Sequence, residues 1–159
     1  MKIGVISDTH LSKPTEALYE LQYGVFADVS MVLHAGDLTE LDVLQAFSGK
    51  EVVAVSGNMD SPVVKNQLPS KRIIEVAGFR IGLTHVWGKP FTSVKGLMGD
   101  FDQVDAIVYG HTHRAVNEVR GGILFFNPGA FYSRPPFLAQ GSVGILTLGE
   151  KLSGQIIRV

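Results

Sequence analysis

Five short apolar segments, each about as long as a buried β-strand, end in a glycine or a polar residue. They are rich in β-branched residues and cover residues 2–7, 30–33, 51–55, 79–83 and 105–109. Their apolar character is nearly continuous, which is typical of strands covered on both faces. Such strands need a packed layer on each side, so the pattern predicts an α/β architecture.

The segments that join these strands are predicted to contain helices. In residues 14–27, apolar residues recur at helical spacing, as in an amphipathic helix that crosses between parallel strands. Residues 39–47 are predicted to form a shorter helix with Thr39 as its N-cap, and residues 92–98 a third helix.

The last third of the chain, residues 116–159, is predicted to be mostly β and to form a sheet that faces the first one. Hairpin signals occur at Arg120-Gly121-Gly122 and at Gly149-Glu150. No internal repeat, low-complexity tract or linker is visible, so we expect a single domain over residues 1–159.

The composition excludes several classes of protein. With 159 residues, 45% of them apolar and 18% charged, the chain suits a compact globule with its own core. A net charge of −1 gives no electrostatic footprint for nucleic acids or anionic membranes. The chain has neither a secretory signal nor the run of roughly 18 apolar residues that a membrane span needs, so we expect a cytoplasmic protein.

The polar motifs that follow the strands contain four of the five histidines and several oxygen donors. The motifs are Asp8-Thr9-His10, Gly36-Asp37, Gly57-Asn58, Thr84-His85 and Gly110-His111-Thr112-His113. Ligands of α/β sheets bind beyond the carboxyl ends of the strands, so these residues can meet at one edge of the core. Their glycines are expected to permit tight turns that orient the neighbouring side chains.

The donor atoms in these motifs suit divalent metals. Asp8 and His10 are two residues apart and can chelate one ion in an extended segment. His111 and His113 have the same spacing and can serve one ion together or two ions singly. Asp37 is the group best suited to bridge two cations. With no cysteine in the chain, the donors suit two first-row divalent ions and suit calcium poorly; they are Asp8, His10, Asp37, Asn58, His85, His111 and His113.

In order and approximate spacing, the five motifs resemble those of the calcineurin-like metallophosphoesterase superfamily. The short chain and Asn127-Pro128-Gly129 resemble its small prokaryotic phosphodiesterase branch. The resemblance covers nearly the whole chain and implies a two-sheet α/β/β/α sandwich with a dinuclear site at its edge. It implies one ion bound by Asp8, His10, Asp37 and His113, and a second bound by Asp37, Asn58, His85 and His111, with Asp37 bridging.

The implied cofactor is a pair of divalent transition-metal ions, with manganese as the leading candidate and iron, zinc or nickel as alternatives. Two ions about 3.5–4 Å apart can hold a hydroxide between them and clamp the attacking and leaving oxygens of a phosphoryl group. Asp37 and Asn58 are therefore expected to act in catalysis as well as in metal binding. No serine–histidine or cysteine–histidine pair suggests a protein nucleophile.

One position departs from the family pattern. Many members carry a histidine directly after the motif asparagine, where it can protonate the leaving group, but here that residue is Met59. A general acid typically contributes about 10²–10⁴-fold. We therefore hypothesise that the enzyme favours activated or diester substrates, or that water or a neighbouring group acts as the acid.

Several residues beside the motifs have two interpretations. Asp60 is expected to orient a ligand, or else to cap the helix or turn that follows. His34 has no remaining metal position and is expected to form a supporting hydrogen bond. Arg134 either binds a substrate phosphate as a planar fork or faces solvent. Asn127-Pro128-Gly129 either lies near the site or is only a turn.

The leading functional hypothesis is a dinuclear metal-dependent phosphodiesterase in which a metal-bound hydroxide attacks phosphorus. A small phosphodiester or nucleotide-like substrate is expected, without stable nucleic-acid or membrane binding, and a homo-oligomer is left open. The alternative is a protein-binding scaffold of the same fold, like the subunit in the retromer complex, although the intact set of ligands argues against it. A nucleic-acid exonuclease is a third hypothesis, which the small size and the missing basic face disfavour.

Overall fold

The structure is a computed structural model that describes residues 1–85, 94–131 and 141–159. Its elements alternate between strands and helices in the first two thirds of the chain, apart from the adjacent strands of residues 71–76 and 79–84, and are strands thereafter. In chain order they are β1 (Lys2–Ile6), α1 (Glu16–Tyr23), β2 (Met31–His34), a 3-10 helix (Leu41–Phe47), β3 (Glu51–Ala54), α2 (Pro62–Gln67), β4 (Lys71–Val76), β5 (Phe79–Thr84), α3 (Val94–Asp100), β6 (Ala106–Val108), β7 (Val116–Arg120), β8 (Ile123–Asn127), β9 (Ser142–Leu148) and β10 (Leu152–Arg158).

The strands form two five-stranded mixed sheets, and in each of them three neighbouring strands run parallel. In the first sheet the order is β10-β9-β1-β2-β3, with Ile6 opposite His34 and His34 opposite Ala54. In the second sheet the order is β4-β5-β6-β8-β7, with β5, β6 and β8 parallel. The loops that leave β1, β2 and β3 therefore lie side by side, and so do those that leave β5, β6 and β8.

The two sheets pack face to face and are covered by helices on their outer faces. One buried cluster contains residues of β1, β2, β3 and β9 together with residues of β5, β6 and β8, so it fills the space between the sheets. A second cluster joins the outer face of the first sheet to α1, the 3-10 helix and α2. A third joins α3 to Ile107 and Phe125 of the second sheet. The expected α/β/β/α sandwich is confirmed.

The contact between the sheets is close because glycines face an aromatic ring. The ring of Phe126, fully buried on β8, lies against the backbone at Gly144 and Gly154. A Cβ atom at either glycine would collide with that ring. Burying a large apolar side chain contributes roughly 1.5–3 kcal/mol, so Phe126 stabilises the sandwich at the point where these strands approach closely.

The strand predictions agree with the structure better than the helix predictions do. All five predicted strands are present, with ends within two residues of the expected ones. The helix predicted over residues 14–27 is shorter, because α1 ends at Tyr23. The shorter helix predicted over residues 39–47 is present as a 3-10 helix over residues 41–47, but Glu40 and not Thr39 is at its N-cap position. α3 overlaps residues 92–98, of which 92 and 93 lie outside the described residues.

The last third of the chain is β-rich, as predicted, but it does not form one facing sheet. β7 and β8 belong to the second sheet, whereas β9 returns to the first sheet and pairs antiparallel with β1. β4 and the short helix α2 were not predicted. Over the part of the chain that the structure describes, no helix combines the length and the apolar character needed to cross a bilayer.

Candidate metal centre

All seven candidate ligands lie in the loops that follow five parallel strands. Asp8 and His10 follow β1, Asp37 follows β2 and Asn58 follows β3, all in the first sheet. The second sheet contributes His85 after β5 and the loop with His111 and His113 after β6. Because the sheets are stacked, these loops meet at one edge of the sandwich. The donor atoms form two groups, and within each group they lie within 4.8 Å of one another. The first group is Asp8, His10 and His113, and the second is Asp37, His85 and His111.

In the first group, the Nε2 atom of His113 lies 3.2 Å from Oδ1 of Asp8 and 3.4 Å from Nε2 of His10. Asp8 is fully buried, whereas the side chain of His113 is half exposed. A carboxylate from the interior and two imidazoles at the surface can therefore reach a cation that enters from solvent.

In the second group, Nε2 of the buried His85 lies 3.2 Å from Oδ2 of Asp37. Nδ1 of His111 and Oδ1 of Asn58 are 2.9 Å apart, so the amide belongs to this group as well. The two groups are neighbours, since Nε2 of His85 is also 4.0 Å from Oδ1 of Asp8. Asp37 Oδ1 accepts a hydrogen bond of 2.8 Å from the Met59 backbone, which leaves Oδ2 as the oxygen that faces His85.

The tautomer of His85 is fixed by the backbone. Its Nδ1 is 2.7 Å from the carbonyl oxygen of Ala35 and must donate to it, because a carbonyl cannot donate. The lone pair of the neutral ring then lies on Nε2, which is buried and has no hydrogen-bond donor facing it among the described residues. A buried lone pair that faces a carboxylate oxygen at 3.2 Å needs a positive charge between the two atoms, which either a proton on Nε2 or a metal ion supplies. This arrangement fits a divalent metal bound by nitrogen and oxygen.

The charges of the cluster shift the pKa values of its histidines. Burial lowers the pKa of His85, but the carboxylates of Asp37 and Asp8 outweigh it, so that pKa is raised. The hydrogen bond to Asp8 raises the pKa of His113, whereas burial lowers the pKa of His10. Burial opposes ionisation of Asp37, yet its contact with His85 leaves the pKa of Asp37 lowered. Because the pKa values of His85 and His113 are raised, protons compete with a metal for these two rings.

The backbone is strained at most of the candidate ligands. Positive φ angles occur at Asp8 (54°), His10 (49°), Asp37 (55°), His111 (68°) and His113 (56°). A non-glycine residue in this region costs on the order of 1–3 kcal/mol and persists only where its surroundings impose it. The strained residues are the ones whose side chains carry the donor atoms. This indicates that the loops are shaped to direct these side chains towards a common point.

Hydrogen bonds between the loops hold this strained backbone in place. The amides of Asp8 and His10 donate to the carbonyl oxygens of Gly36 and Asp37, each at 3.0 Å. The buried carboxylate of Asp60 accepts from the amides of Thr39 and Gly57, each at 2.6 Å. Asp60 therefore ties the loop of Asp37 to the loop of Asn58. The N-cap of α2 is Ser61, so Asp60 does not have the capping role given as its alternative.

The glycines of the motifs are required for different reasons. Gly36 has a φ of 90°, which fits the predicted turn. Gly57 and Gly110 are not among the glycines with positive φ, so a left-handed backbone is not what requires glycine at these two positions. A Cβ atom at Gly57 would collide with Asp37, and one at Gly110 would collide with the Ser7 hydroxyl. These two positions need glycine because the loops approach each other closely.

Three supporting residues lie just beneath the ligands. His34 is fully buried, with Nε2 at 3.2 Å from Oγ1 of Thr9, and burial lowers its pKa to about 4. Ser7, which was not predicted, donates to Oδ2 of Asp8 at 2.6 Å and so directs the other oxygen towards His113. Asn127 is buried below the loop of His111 and His113. Arg134 lies outside the described residues.

The architecture and the donor groups define an α/β/β/α sandwich with a candidate metal centre at the carboxyl ends of its parallel strands. Residues 1–151 match the family described as the calcineurin-like phosphoesterase superfamily domain. The chain belongs to this superfamily, as the motifs predicted.

Three similar proteins align with this chain over most of its length and most of their own. A probable metallophosphoesterase of Methanothermobacter thermautotrophicus is 36% identical, over 99% of this chain and 92% of that protein. The solved structure of a novel archaeal phosphodiesterase is 27% identical with a TM-score of 0.77, over 100% of both chains. That of a single mutant of Vps29 from Entamoeba histolytica is 25% identical with a TM-score of 0.74, over 100% and 99% of the two chains.

Proposed function

We propose that this protein is a dinuclear metal-dependent phosphodiesterase. The observation that carries the proposal is the pair of adjacent donor groups, in which Nε2 of buried His85 lies 3.2 Å from Oδ2 of Asp37. Asp8, His10 and His113 would hold one ion and Asn58, His85 and His111 the other. Asp37 would serve both ions, and the bond from the Met59 amide to its Oδ1 would hold its carboxylate in place. The names of the relatives support phosphoester hydrolysis.

When bound, two divalent ions supply an activated water at neutral pH and neutralise charge on the phosphoryl oxygens. The chain's own residues fix where this happens. Ser7 and the amide of His111 hold Asp8, and Ala35 holds His85 with Nε2 directed at the site. The half-exposed His113 leaves the first group open to a small substrate. Manganese is the proposed metal and a small or nucleotide-like phosphodiester the proposed substrate.

Replacing the proposed bridge tests this function. Asp37→Ala should lose metal and reduce turnover of cyclic and linear phosphodiesters by more than the roughly 10–100-fold typical of supporting residues. The matched control is Asp42→Ala, which removes an exposed carboxylate on the 3-10 helix that accepts a bond from Gln45 on the same helix. Bound metal is counted by elemental analysis. Full activity in Asp37→Ala, or no metal in the unaltered protein, would contradict the proposal.

A non-catalytic scaffold is the second candidate, and the likeness to Vps29 is the observation that favours it. The two candidates differ in the use of the donor groups. A scaffold does not need a His85 nitrogen aimed at a buried carboxylate. If the manganese-loaded protein turned over no phosphodiester in the same screen, the scaffold would become the better hypothesis.

A further inference from the structure

Asn127 is a fully buried amide at the last position of β8, directly below the loop that contains His111 and His113. Its Nδ2 donates to the carbonyl oxygen of Gly110 at 3.0 Å and to Oγ1 of Thr112 at 3.1 Å. Its Oδ1 accepts from the amide of Gly129 at 2.9 Å. Both donors of the amide are used, and a flipped amide would place a donor against the Gly129 N–H.

These contacts lie on both sides of His111. Gly110 precedes His111 and Thr112 follows it, while His113 comes next. His111 and His113 have φ angles of 68° and 56°, so this loop has no regular conformation that would hold it. From the other side, the amide of His111 donates to the carboxylate of Asp8. Asn127 supplies the support from beneath.

The backbone on either side of Asn127 is held in place by strand pairing and by a side-chain hydrogen bond. β8 pairs in parallel with β6, the strand that leads into the histidine loop. Ser142 at the start of β9 donates to the carbonyl oxygen of Pro128 at 2.6 Å, and a Cβ atom at Gly129 would collide with the Ser142 hydroxyl. Asn127 therefore belongs to the second sheet, and the bond between Ser142 and the neighbouring Pro128 joins this segment to the first sheet.

We propose that Asn127 is a positioning residue that holds His111 and His113 in the orientation needed to bind the metal ions. It acts through Gly110 and Thr112 and contacts neither metal nor substrate. The inference rests on the proposed function, because it takes both histidines as ligands. It resolves the two interpretations of Asn127-Pro128-Gly129 in favour of a role at the site.

The test compares metal binding in four variants. Asn127→Asp keeps the shape of the side chain and the acceptor for Gly129 but removes both donors. Thr112→Val removes one acceptor in an exposed loop, where folding is not at risk, and Thr112→Ser restores it. The control is Asn117→Asp, because Asn117 is also an amide that donates to a carbonyl oxygen, that of Gly154 at 2.7 Å, but on β7.

Manganese affinity and stoichiometry are measured by titration calorimetry on the metal-free proteins, and the visible spectrum of the cobalt-loaded forms reports the ligand geometry. Asn127→Asp should weaken affinity by about 10–100-fold and change the cobalt spectrum. Thr112→Val should show a smaller loss, while Thr112→Ser and Asn117→Asp should match the unaltered protein. A role in stability alone would lower the melting temperature and leave affinity and spectrum unchanged.

The outcomes separate the inference from the function on which it rests. If the unaltered protein binds two ions and Asn127→Asp and Thr112→Val bind them equally well, the inference is wrong and the function stands. If the unaltered protein binds none, both are wrong. If Asn127→Asp fails to fold, the pair Thr112→Val and Thr112→Ser decides, since equal affinity in these two variants contradicts the inference.

Discussion

Met59 is the residue at which this chain departs from the usual pattern of its superfamily, and its side chain is 61% exposed. Only its backbone takes part in the site, by donating to Asp37. A side-chain substitution therefore leaves that bond in place. Because the thioether cannot supply a proton, we expect the enzyme to depend on substrates with good leaving groups.

Met59→His should raise kcat/KM for a phosphodiester with an alkoxide leaving group, by up to about 100-fold, with little change for a nitrophenyl ester. The gain should disappear as the pH rises above the pKa of the new imidazole. Val63→His is the control, since Val63 is also exposed and lies on α2. Equal rates for Met59→His and the unaltered protein on the poor leaving group would contradict the substrate hypothesis.

His34 makes the stability of the fold depend on pH. Burial lowers its pKa from 6.5 to about 4. Above pH 6.5 the ring is neutral in both the folded and the unfolded chain. Between pH 6.5 and 4 only the unfolded chain binds the proton, so the free energy of unfolding falls as the pH falls, by roughly 2 kcal/mol at pH 5.

His34→Gln should remove this part of the pH dependence. Urea unfolding of both proteins with chelator at pH 7 and pH 5 measures it, because titrating groups common to the two proteins cancel in the difference. The unaltered protein should lose roughly 2 kcal/mol more than the variant between these pH values. Equal losses would show that His34 is protonated in the folded protein.

At the scale of elements, the predictable features depend on local pattern and the missed ones on distant contacts. β1, β2, β3, β5 and β6 are predictable because buried parallel strands are nearly continuous apolar runs. The meeting of Asp8, Asp37 and His111 is predictable too, since parallel strands place their carboxyl ends at one edge. By contrast, the return of β9 to β1 depends on pairing across more than 130 residues of sequence.

The strained loops show why the details of the site lie beyond sequence analysis. The positive φ angles of His10 and His113 occur at non-glycine residues, which only seldom adopt them. They arise from contacts between loops. One example is the hydrogen bond from the amide of Thr39 to the carboxylate of Asp60, which lies 21 positions further along the chain. The sequence does not reveal the role of the Ser7 hydroxyl, and it leaves the role of Asn127 open. Both roles depend on the residues that lie next to them in space.

At the scale of the whole molecule, the candidate metal centre spans the two sheets of the sandwich. Asp8, His10 and Asp37 follow strands of the first sheet, while His85 and His113 follow strands of the second. Ions bound here would connect the sheets at this edge, and the unfolded chain has no such site. Metal binding should therefore stabilise the entire fold.

Removing metal with a chelator should lower the melting temperature, and free manganese at 100 times its dissociation constant should contribute about 2.7 kcal/mol, or several degrees. The raised pKa values of His85 and His113 mean that protons compete with the metal, so the gain should shrink as the pH falls. Calorimetric scans with and without manganese at pH 8 and pH 6 measure both effects, and Asp37→Ala should respond far less. A melting temperature that is indifferent to manganese at pH 8 would mean that the sheets are not joined by metal, because ions bound by residues of both sheets must stabilise the folded state over the unfolded one.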